Sequence, residues 1–311
     1  MKCLVTGAAG FIGSNLVEHL LSRGDDVMGV DNFMAGKREN IAPFEGKIRF
    51  VEGDVRDKDL CLELVRDVDW VFHLAALASV PWSVEEPALA HDHNINGTLN
   101  ILLAAREAGA KKVVFASSAA IYGDDPELPA VETSPPAPAS PYALHKLAGE
   151  QYIALFKQIY DSHAVCLRFF NVFGPRQDPN SMYAAAIPKL LERILKGERP
   201  TIFGNGEQTR DFIHVSDIVR GLLVAAQAPP EADGQVFNLG CGDCVSINDL
   251  VNKMFELLGS DIEPEYAPAR PGDVMHSQAN IDKARQVLGF EPKLNALTGL
   301  TQAIGWYREN L

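Results

Sequence analysis

The chain has 311 residues, 47% of them hydrophobic and 22% charged, and carries a formal net charge of −13. This makeup is typical of a soluble globular protein of about two domains, and the acidic excess argues against broad binding to nucleic acids or anionic membranes. No apolar run approaches the ~20 residues of a membrane span, and because a strand is predicted directly after Met1 we expect no signal peptide. The five cysteines are an odd number, which argues against a disulfide framework. We therefore expect a cytoplasmic protein.

The N-terminal segment joins an apolar strand, predicted at 2–5, to the glycines Gly7, Gly10 and Gly13 and to an amphipathic helix predicted at 14–21. Strand, glycine turn and helix in this order are typical of a dinucleotide-binding turn. Gly7 permits the tight turn, Gly10 lets the backbone approach a pyrophosphate, and Gly13 allows close helix–strand packing. The helix N-terminus offers N–H groups to the phosphates. Because the spacing is G-x-x-G-x-x-G rather than G-x-G-x-x-G, a plain tight turn is the alternative.

A second strand, predicted at 27–30, ends at Asp31 and Asn32. An acidic residue about twenty positions beyond the glycines can hydrogen-bond the adenosine ribose, and it would repel a 2′-phosphate. No arginine follows at once, although Lys37 and Arg38 lie a little further on. The pattern therefore predicts NAD rather than NADP.

Two more predicted strands end beside the same expected site. Asp54 and Val55 follow the strand at 48–51 and would lie by the adenine, although Asp54 is equally consistent with a helix N-cap. The next strand, from residue 70, runs into small residues that let the backbone lie against a flat ligand, namely Leu74, Ala75 and Ala76.

The fifth predicted strand, at 112–116, leads into Ser117 and Ser118. A serine at the carboxyl end of such a strand points into the crevice where doubly wound sheets bind ligands. Taken alone, either serine is more typical of a turn. In this context Ser118 is a candidate to hold a substrate hydroxyl.

Tyr142 and Lys146 lie four residues apart at the start of a predicted helix, so they share one helix face. A lysine ammonium and a positively charged nicotinamide beside a phenol would both lower the tyrosine pKa from its usual ~10. Such a phenolate is a general base able to take a proton from a hydroxyl near pH 7. The Tyr-x-x-x-Lys spacing alone is common, and its value lies in the motifs around it.

Two other sequence patterns are of the kind found in metal or redox sites, but no further ligand residues lie near them in the sequence. Cys241 and Cys244 form a C-x-x-C, and His91 and His93 form a close pair, but neither has a second pair of ligands nearby in the sequence. We expect no metal site and no redox function from them.

Strand–helix alternation from 1 to about 168 predicts an α/β fold with a doubly wound parallel sheet. The segment 124–141 carries six prolines and joins Ser118 to Tyr142, so we expect a loop over the site rather than a linker. We expect a dinucleotide-binding part formed by 1–170 plus 214–243. A smaller, discontinuous substrate part would comprise 171–213 plus 244–311.

Three long motifs complete the picture: LRFFNVFGPR at 167–176, GNGEQTRDF at 204–212 and RPGD at 270–273. With the N-terminal glycines and the Ser–Tyr–Lys set in the same order, the chain resembles an extended short-chain dehydrogenase/reductase. It is most similar to UDP-sugar 4-epimerases, in particular those acting on UDP-N-acetylglucosamine. The resemblance runs over nearly the whole length and implies a Rossmann fold with NAD as cofactor.

The resemblance also implies roles for individual residues. It implies a catalytic set of Ser118, Tyr142 and Lys146. It implies NAD contacts at Gly7, Gly10, Phe11, Ile12, Gly13, Asp31, Asn32, Asp54, Val55, Leu74, Ala75, Ala76, Tyr142, Lys146 and Phe169. It implies UDP-sugar contacts at Ser79, Ser118, Tyr142, Asn171, Ala185, Phe203, Arg210, Arg270, Asp273 and Ser277. The two arginines would pair with the diphosphate, and helices near 89–108 and 142–160 would pair across a homodimer.

Ala119 and Ala120 bear on the reaction. Related dehydratases and decarboxylases commonly carry an Asp or Glu just after the active-site Ser or Thr, whereas these two residues have no titratable group. The resemblance therefore favours an epimerase, with another NAD-dependent nucleotide-sugar enzyme or a non-catalytic dinucleotide sensor as alternatives.

Ser277 bears on the sugar. A tyrosine at the matching position restricts relatives to plain hexoses, whereas a small residue admits N-acetylhexosamines. The segment 176–186 is also similar to that of N-acetyl-selective epimerases. Ala119 stands where strongly N-acetyl-preferring relatives often have a serine, so activity on both UDP-GlcNAc/UDP-GalNAc and UDP-Glc/UDP-Gal stays open.

Overall fold

The computed structural model describes residues 1–178, 186–269 and 274–311. The strands are β1 Lys2–Thr6, β2 Asp26–Asp31, β3 Arg49–Glu52, β4 Trp70–His73, β5 Lys112–Ser118, β6 Ala164–Phe169, β7 Asn171–Phe173, β8 Thr201–Phe203, β9 Thr209–Arg210, β10 Phe212–His214, β11 Val236–Leu239, β12 Val245–Ser246 and β13 Glu265–Ala267. The α-helices are α1 Phe11–Ser22, α2 Arg38–Ile41, α3 Lys58–Val65, α4 Val80–Glu85, α5 Pro87–His91, α6 Gly97–Ala108, α7 Pro141–Tyr160, α8 Ala186–Leu195, α9 Val215–Ala226, α10 Ile247–Leu258 and α11 Ala296–Asn310. A π-helical turn, Asp92–Asn96, joins α5 to α6.

The main sheet has the strand order β11-β6-β5-β4-β1-β2-β3, a seven-stranded sheet within the described residues. Neighbouring strands in it run parallel. Reading outward from β1 in both directions gives the doubly wound order in which a crevice opens at the carboxyl ends of the strands. The predicted α/β fold with a parallel sheet is confirmed.

The two faces of the sheet are covered by different helices. On one face α1 and α9 pack through Leu16 and Leu222 into a core that includes Phe237. On the other face α3, α6 and α7 pack into a second core that includes Ile101 and Ile153. Burial on both faces explains why β5 is almost continuously apolar rather than alternating.

The smaller part of the chain forms two-stranded pairs, β7 with β10, β8 with β13 and β9 with β12. They join α8, α10 and α11 around a third core that includes Leu191, Leu250 and Tyr307. The segment expected to belong wholly to this part, 244–311, also reaches back to the main sheet, because Leu288 and Phe290 pack in the same core as Phe237. Part of the C-terminal segment therefore packs against the main sheet rather than only within the smaller part.

Several element ends follow from local chemistry. The Ser140 hydroxyl accepts a hydrogen bond from the Ala143 N–H and Pro141 occupies the first turn, so α7 begins where an N-cap and a proline direct it. Strand β5 runs two residues beyond its predicted end, because Ser117 and Ser118 pair with Arg168 and Phe169 of β6. None of the described helices is long and apolar enough to cross a membrane.

Candidate active site

The glycine turn after β1 has the shape that a bound dinucleotide requires. Gly7 has φ of +69°, and a Cβ there would lie 3.0 Å from the Ala75 nitrogen; a Cβ on Gly13 would lie 2.1 Å from the Gly7 carbonyl oxygen. Gly10 precedes α1 in an extended conformation, and no side chain caps the helix. Phe11 and Ile12 begin the helix, so its first N–H groups are available to a pyrophosphate. These residues fit an NAD molecule.

A buried polar chain ties this turn to the next strand. The Thr6 hydroxyl oxygen accepts hydrogen bonds from the Leu74 and Ala75 N–H groups, both at 3.1 Å. It also bonds Nδ1 of His73 at 2.8 Å, while His73 Nε2 bonds Thr98 at 3.0 Å. Burial lowers the pKa of His73 to about 3, with a smaller effect from Lys146. Thr6, His73 and Thr98 were not predicted as site residues, although a polar pair at the ends of two predicted buried strands was the available signal.

Asp31 lies beside the glycine turn, as predicted. Its carboxylate accepts hydrogen bonds from the Ala9 N–H at 2.9 Å and the Phe33 N–H at 2.8 Å, and burial raises its pKa while these bonds oppose the rise. The two later cations are paired elsewhere, Lys37 with Asp178 at 2.8 Å and Arg38 with Glu52 at 2.7 Å. The local charge therefore suits a ribose with a free 2′-hydroxyl better than a 2′-phosphate.

Asp54 is not a helix cap, so that alternative is wrong. The cap of α3 is Asp57, whose side chain accepts from the N–H groups of the first turn. Asp54 instead binds Arg56, with its two oxygens 2.9 and 3.0 Å from the guanidinium, and accepts from the Asn32 amide at 2.8 Å. Burial opposes ionisation, but these bonds lower the pKa of Asp54 to about 2. Val55 is buried beside it.

The expected catalytic residues come together at the carboxyl end of β5. The Ser118 hydroxyl faces the Tyr142 phenol and acts to lower its pKa, and the Ser118 oxygen accepts from the Ala120 N–H at 3.2 Å. The Lys146 ammonium donates to the Ala116 carbonyl at 2.7 Å and lies 5.8 Å from the centre of the Tyr142 ring. Ser83 on α4 accepts from the Tyr142 N–H at 3.1 Å. The backbone of Tyr142 is therefore anchored to α4, and its phenol lies beside Ser118 and Lys146.

Burial dominates the electrostatics of Tyr142 and Lys146. Burial raises the pKa of the phenol, and Ser118 only partly opposes this. Burial also lowers the pKa of Lys146 to about 8, so the ammonium does not by itself pull the phenol pKa below its usual range. The predicted lowering of the phenol pKa rests on Lys146 and the positively charged nicotinamide together, so it stays a prediction for the chain with NAD bound.

A buried ion pair that was not predicted from the sequence lies behind Ser118, Tyr142 and Lys146. Glu150 accepts from the Ser117 hydroxyl at 2.5 Å and from Arg168 at 2.7 and 2.9 Å. Both charged side chains are about 95% buried, with exposures of 4 and 5%. The i, i+4, i+8 spacing of Tyr142, Lys146 and Glu150 on one helix face was the available signal.

Three more predicted residues lie at or just beyond the carboxyl ends of β6 and β4. Phe169 ends β6 directly opposite Ser118 in the sheet register and is buried. Ser79 caps α4, its hydroxyl oxygen accepting from the Trp82 N–H at 3.2 Å. Ala76 follows Ala75 in the partly exposed turn between β4 and Ser79.

A cavity of about 650 Å³ opens in the smaller part of the chain. Three predicted substrate residues line it: Asn171, Phe203 and Arg210. The Arg210 guanidinium donates to the Thr209 carbonyl at 2.9 Å, and the Asn171 amide donates to the Asp211 carbonyl at 3.2 Å. Lys189 of α8 also lines the cavity, a cation that the sequence analysis did not single out. The cavity can therefore receive an anionic ligand.

The remaining substrate predictions have mixed outcomes. Ser277 is partly buried, and its N–H donates to the Thr209 carbonyl at 3.1 Å, which places it beside β9 and next to the cavity residue Arg210. Ala185, Arg270 and Asp273 lie outside the described residues.

The two cysteine and histidine patterns serve packing contacts. The Cys241 thiol donates to the carbonyls of Phe212 and Leu294, at 3.1 and 3.2 Å. The His91 ring packs edge-on against His145 with ring centres 5.5 Å apart. Across 1–178, 186–269 and 274–311, no group of three or more His, Cys, Asp or Glu side chains is arranged to hold a metal ion.

Known proteins share this architecture along the whole chain. A UDP-glucose 4-epimerase of Mycolicibacterium smegmatis is 39% identical over 99% of both chains. The solved UDP-N-acetylglucosamine 4-epimerase of Methanobrevibacter ruminantium, in complex with UDP-N-acetylmuramic acid, superposes with a TM-score of 0.94 at 40% identity, covering 100% of this chain and 99% of that one. The solved UDP-glucose 4-epimerase of Thermotoga maritima, with UDP-glucose, superposes with a TM-score of 0.93 at 40% identity over 99% of both chains.

The sequence profile of one family covers most of the chain. Residues 3–240 match the family described as the NAD dependent epimerase/dehydratase family. This span holds the glycine turn, Asp31 and the Ser118, Tyr142 and Lys146 cluster. The chain belongs to the NAD dependent epimerase/dehydratase family.

Proposed function

We propose that the chain is an NAD-dependent UDP-sugar 4-epimerase. The observation that carries the proposal is the cluster at the end of β5. Tyr142 faces Ser118, with Lys146 on the next turn of the same helix, while Ala119 and Ala120 offer no further acid or base. A site with one proton-transferring side chain suits oxidation and reduction at a single carbon. The elimination carried out by dehydratases needs a second such group.

The chain's own residues divide the work at the sugar C4. Tyr142 takes the proton from the 4-hydroxyl and later returns it, and Ser118 hydrogen-bonds the same oxygen. Bound NAD supplies the hydride chemistry at C4. Lys146 stabilises the Tyr142 phenolate, and the positive charge of the cofactor, together with Lys146, lowers the phenol pKa that burial raises. The 4-keto sugar must present its other face before the proton returns, so the diphosphate has to stay anchored while the sugar turns.

The cavity provides that anchor. Arg210 and Lys189 line it, and their positive charges suit the UDP diphosphate in a chain whose net charge is −13. Asn171 would contact the diphosphate and sugar, and Phe203 would line the uracil slot. Arg270, Asp273 and Ala185 belong to the same proposed set by family resemblance. In this proposal 1–170 plus 214–243 bind NAD, and the remainder binds the UDP-sugar.

We propose UDP-N-acetylhexosamines as substrates, with plain UDP-hexoses as the alternative. The small side chain of Ser277, beside β9, supports room for an N-acetyl group. Similarity does not discriminate, because the chain is 40% identical both to a UDP-N-acetylglucosamine 4-epimerase and to a UDP-glucose 4-epimerase.

A homodimer is part of the proposal. Helix α7 exposes Leu144, Leu155 and Ile159, at 54, 44 and 57%, which is unusual for large apolar side chains on one helix. Packed against a second copy of α7 and of the helices near 89–108, this face would lose its exposed apolar surface. Sedimentation of the purified chain tests it.

The decisive experiment incubates the purified protein with UDP-GlcNAc and, separately, with UDP-Glc, without added NAD, and follows the sugars by proton NMR. Formation of UDP-GalNAc to a stable equilibrium supports the epimerase and a retained cofactor, and the ratio of initial rates gives the sugar preference. If neither sugar changes even with NAD added, the assignment to these sugars fails.

A further inference from the structure

We propose that Glu150 is a positioning residue that keeps Lys146 charged and fixes the strand end that carries Ser118. The inference rests on the proposed function, because it assigns Glu150 to the same proton-transfer site. Glu150 does not touch the crevice, since its side chain is only 4% exposed. It acts through Lys146 and Ser117.

The geometry begins with the close approach of α7 to β5. A Cβ on Gly149 would lie 2.6 Å from the Phe115 ring, so only glycine lets the helix come this near. The approach brings two side chains of α7, one turn apart, onto the end of β5. Lys146 lies 4.8 Å from the centre of the Phe115 ring and donates to the Ala116 carbonyl, while Glu150 reaches the next residue, Ser117.

The Ser117 contact fixes the backbone beside the active serine. The Ser117 hydroxyl donates to Glu150 at 2.5 Å, and Glu150 is held from the other side by Arg168. Ser117 and Arg168 are paired residues in the β5–β6 register, as are Ser118 and Phe169. One carboxylate therefore joins α7, β5 and β6 at the residues immediately preceding the site.

The charges explain why a carboxylate is needed there. The charged and titratable groups that face Lys146 among the described residues are Tyr142, His145 and Glu150 on α7 and His73 on β4. Arg168 on β6 faces Glu150 rather than Lys146. Burial lowers the pKa of Lys146 to about 8, and Glu150 is the neighbour that raises it. Without that negative charge, a buried lysine next to a tyrosine loses its proton more readily.

The test compares Glu150→Gln with a matched control. Glu132→Gln makes the same change in a carboxylate that accepts from the Asn238 N–H at 2.8 Å and does not face Lys146. Isotope-labelled lysine side chains are titrated by NMR, with Lys146 assigned through Lys146→Arg, and kcat and KM are followed against pH. In Glu150→Gln we expect the Lys146 midpoint and the alkaline limb of kcat to fall by about one pH unit, with KM unchanged. In Glu132→Gln neither should move.

Each outcome of these measurements either supports or overturns the role proposed for Glu150. An unchanged Lys146 midpoint in Glu150→Gln overturns the proposal, even if the variant is less stable, because that result describes a purely structural role. If Glu150→Gln does not fold, Ser117→Ala decides: kcat should fall several-fold at constant KM, and wild-type kcat overturns the positioning of Ser118. If the unmodified protein has no epimerase activity, the proposed function fails, while the NMR titration still tests the link between Glu150 and Lys146.

Discussion

The two ends of β5 carry buried ionic clusters of different purpose. At the amino end Lys112 binds Asp233, which His163 also contacts at 2.7 Å. At the carboxyl end Glu150 binds Arg168 and Ser117, immediately behind the expected catalytic residues. Ligands bind doubly wound sheets only at the carboxyl ends of the strands. We infer that similar buried charge supports stability at the amino end of β5 and the proposed chemistry at its carboxyl end.

The largest effect on activity should come from a substitution at the carboxyl end of β5. Tyr142→Phe removes the group that exchanges a proton with the substrate, and we expect kcat to fall by about 10²–10⁴-fold, with no loss of folding stability. Initial rates and thermal unfolding measure the two quantities. Tyr152→Phe, on the same helix but packed against Phe156, is the control and should keep its rate. Wild-type kcat in Tyr142→Phe would remove the phenol from the chemistry.

A substitution at the amino end of β5 should lower stability but leave activity unchanged. Asp233→Asn leaves the buried Lys112 without its counter-charge, and we expect a loss of about 3–5 kcal/mol in the free energy of unfolding. The activity of the folded fraction should be unchanged. Chemical denaturation measures the loss. Asp161→Asn is the matched control, since Asp161 is 83% exposed, and it should leave stability unchanged. A stable but inactive Asp233→Asn would contradict the division between the two ends of β5.

Acid should destabilise the protein through His73, the last residue of β4. The pKa of His73 is lowered from 6.5 to about 3, so between these values the unfolded chain binds the proton that the folded chain excludes. The stabilising contribution is therefore present above about pH 6.5 and is lost as the pH falls, by about 2 kcal/mol at pH 5.

Denaturation at about pH 7 and about pH 5 measures this loss. His73→Asn should show a smaller difference between the two conditions than the unmodified chain. The same difference in both proteins would assign the acid sensitivity to other groups. His276→Asn, which changes an exposed residue, serves as the control.

The smallest effect concerns the cavity beyond the sheet. Lys189→Met removes a positive charge from the proposed diphosphate site, and we expect KM to rise about tenfold, the equivalent of one charge-assisted hydrogen bond, with kcat unchanged. Lys196→Met, which breaks only the exposed pair with Glu192, is the control. Unchanged KM in Lys189→Met would separate this lysine from the substrate.

The sequence predicted the fold and the cofactor turn well, because both depend on local patterns. The predicted glycine turn, the five predicted strands of the first half and the helix at 142–160 all lie where local residues placed them, apart from ends that moved by one or two residues. Strand β5 gained Ser117 and Ser118 because its partner β6 continued beside it. Such ends depend on a neighbouring strand that local sequence does not reveal.

The chemical environment of the site was predicted less well. The role of Asp54 was left open between cap and adenine contact, and only the position of Arg56 and the cap at Asp57 excluded the cap. Burial raises the pKa of Tyr142 and lowers the pKa of Lys146 to about 8, and neither effect was part of the prediction from the Tyr142–Lys146 spacing. Burial depends on how the helix packs against the sheet, so it could not be predicted from the spacing of the two residues.

The sequence by itself determined the features that depend on residues close along the chain: the glycine turn, the alternation of strands and helices, and the Tyr142–Lys146 face of α7. Only the tertiary structure decided the contacts between distant residues. Lys112 and Asp233 are 121 positions apart, and Ser117 and Glu150 are 33 apart. The physical reason is that backbone periodicity and turn chemistry act over a few residues, whereas burial and ion pairing depend on which strands and helices become neighbours in the folded chain.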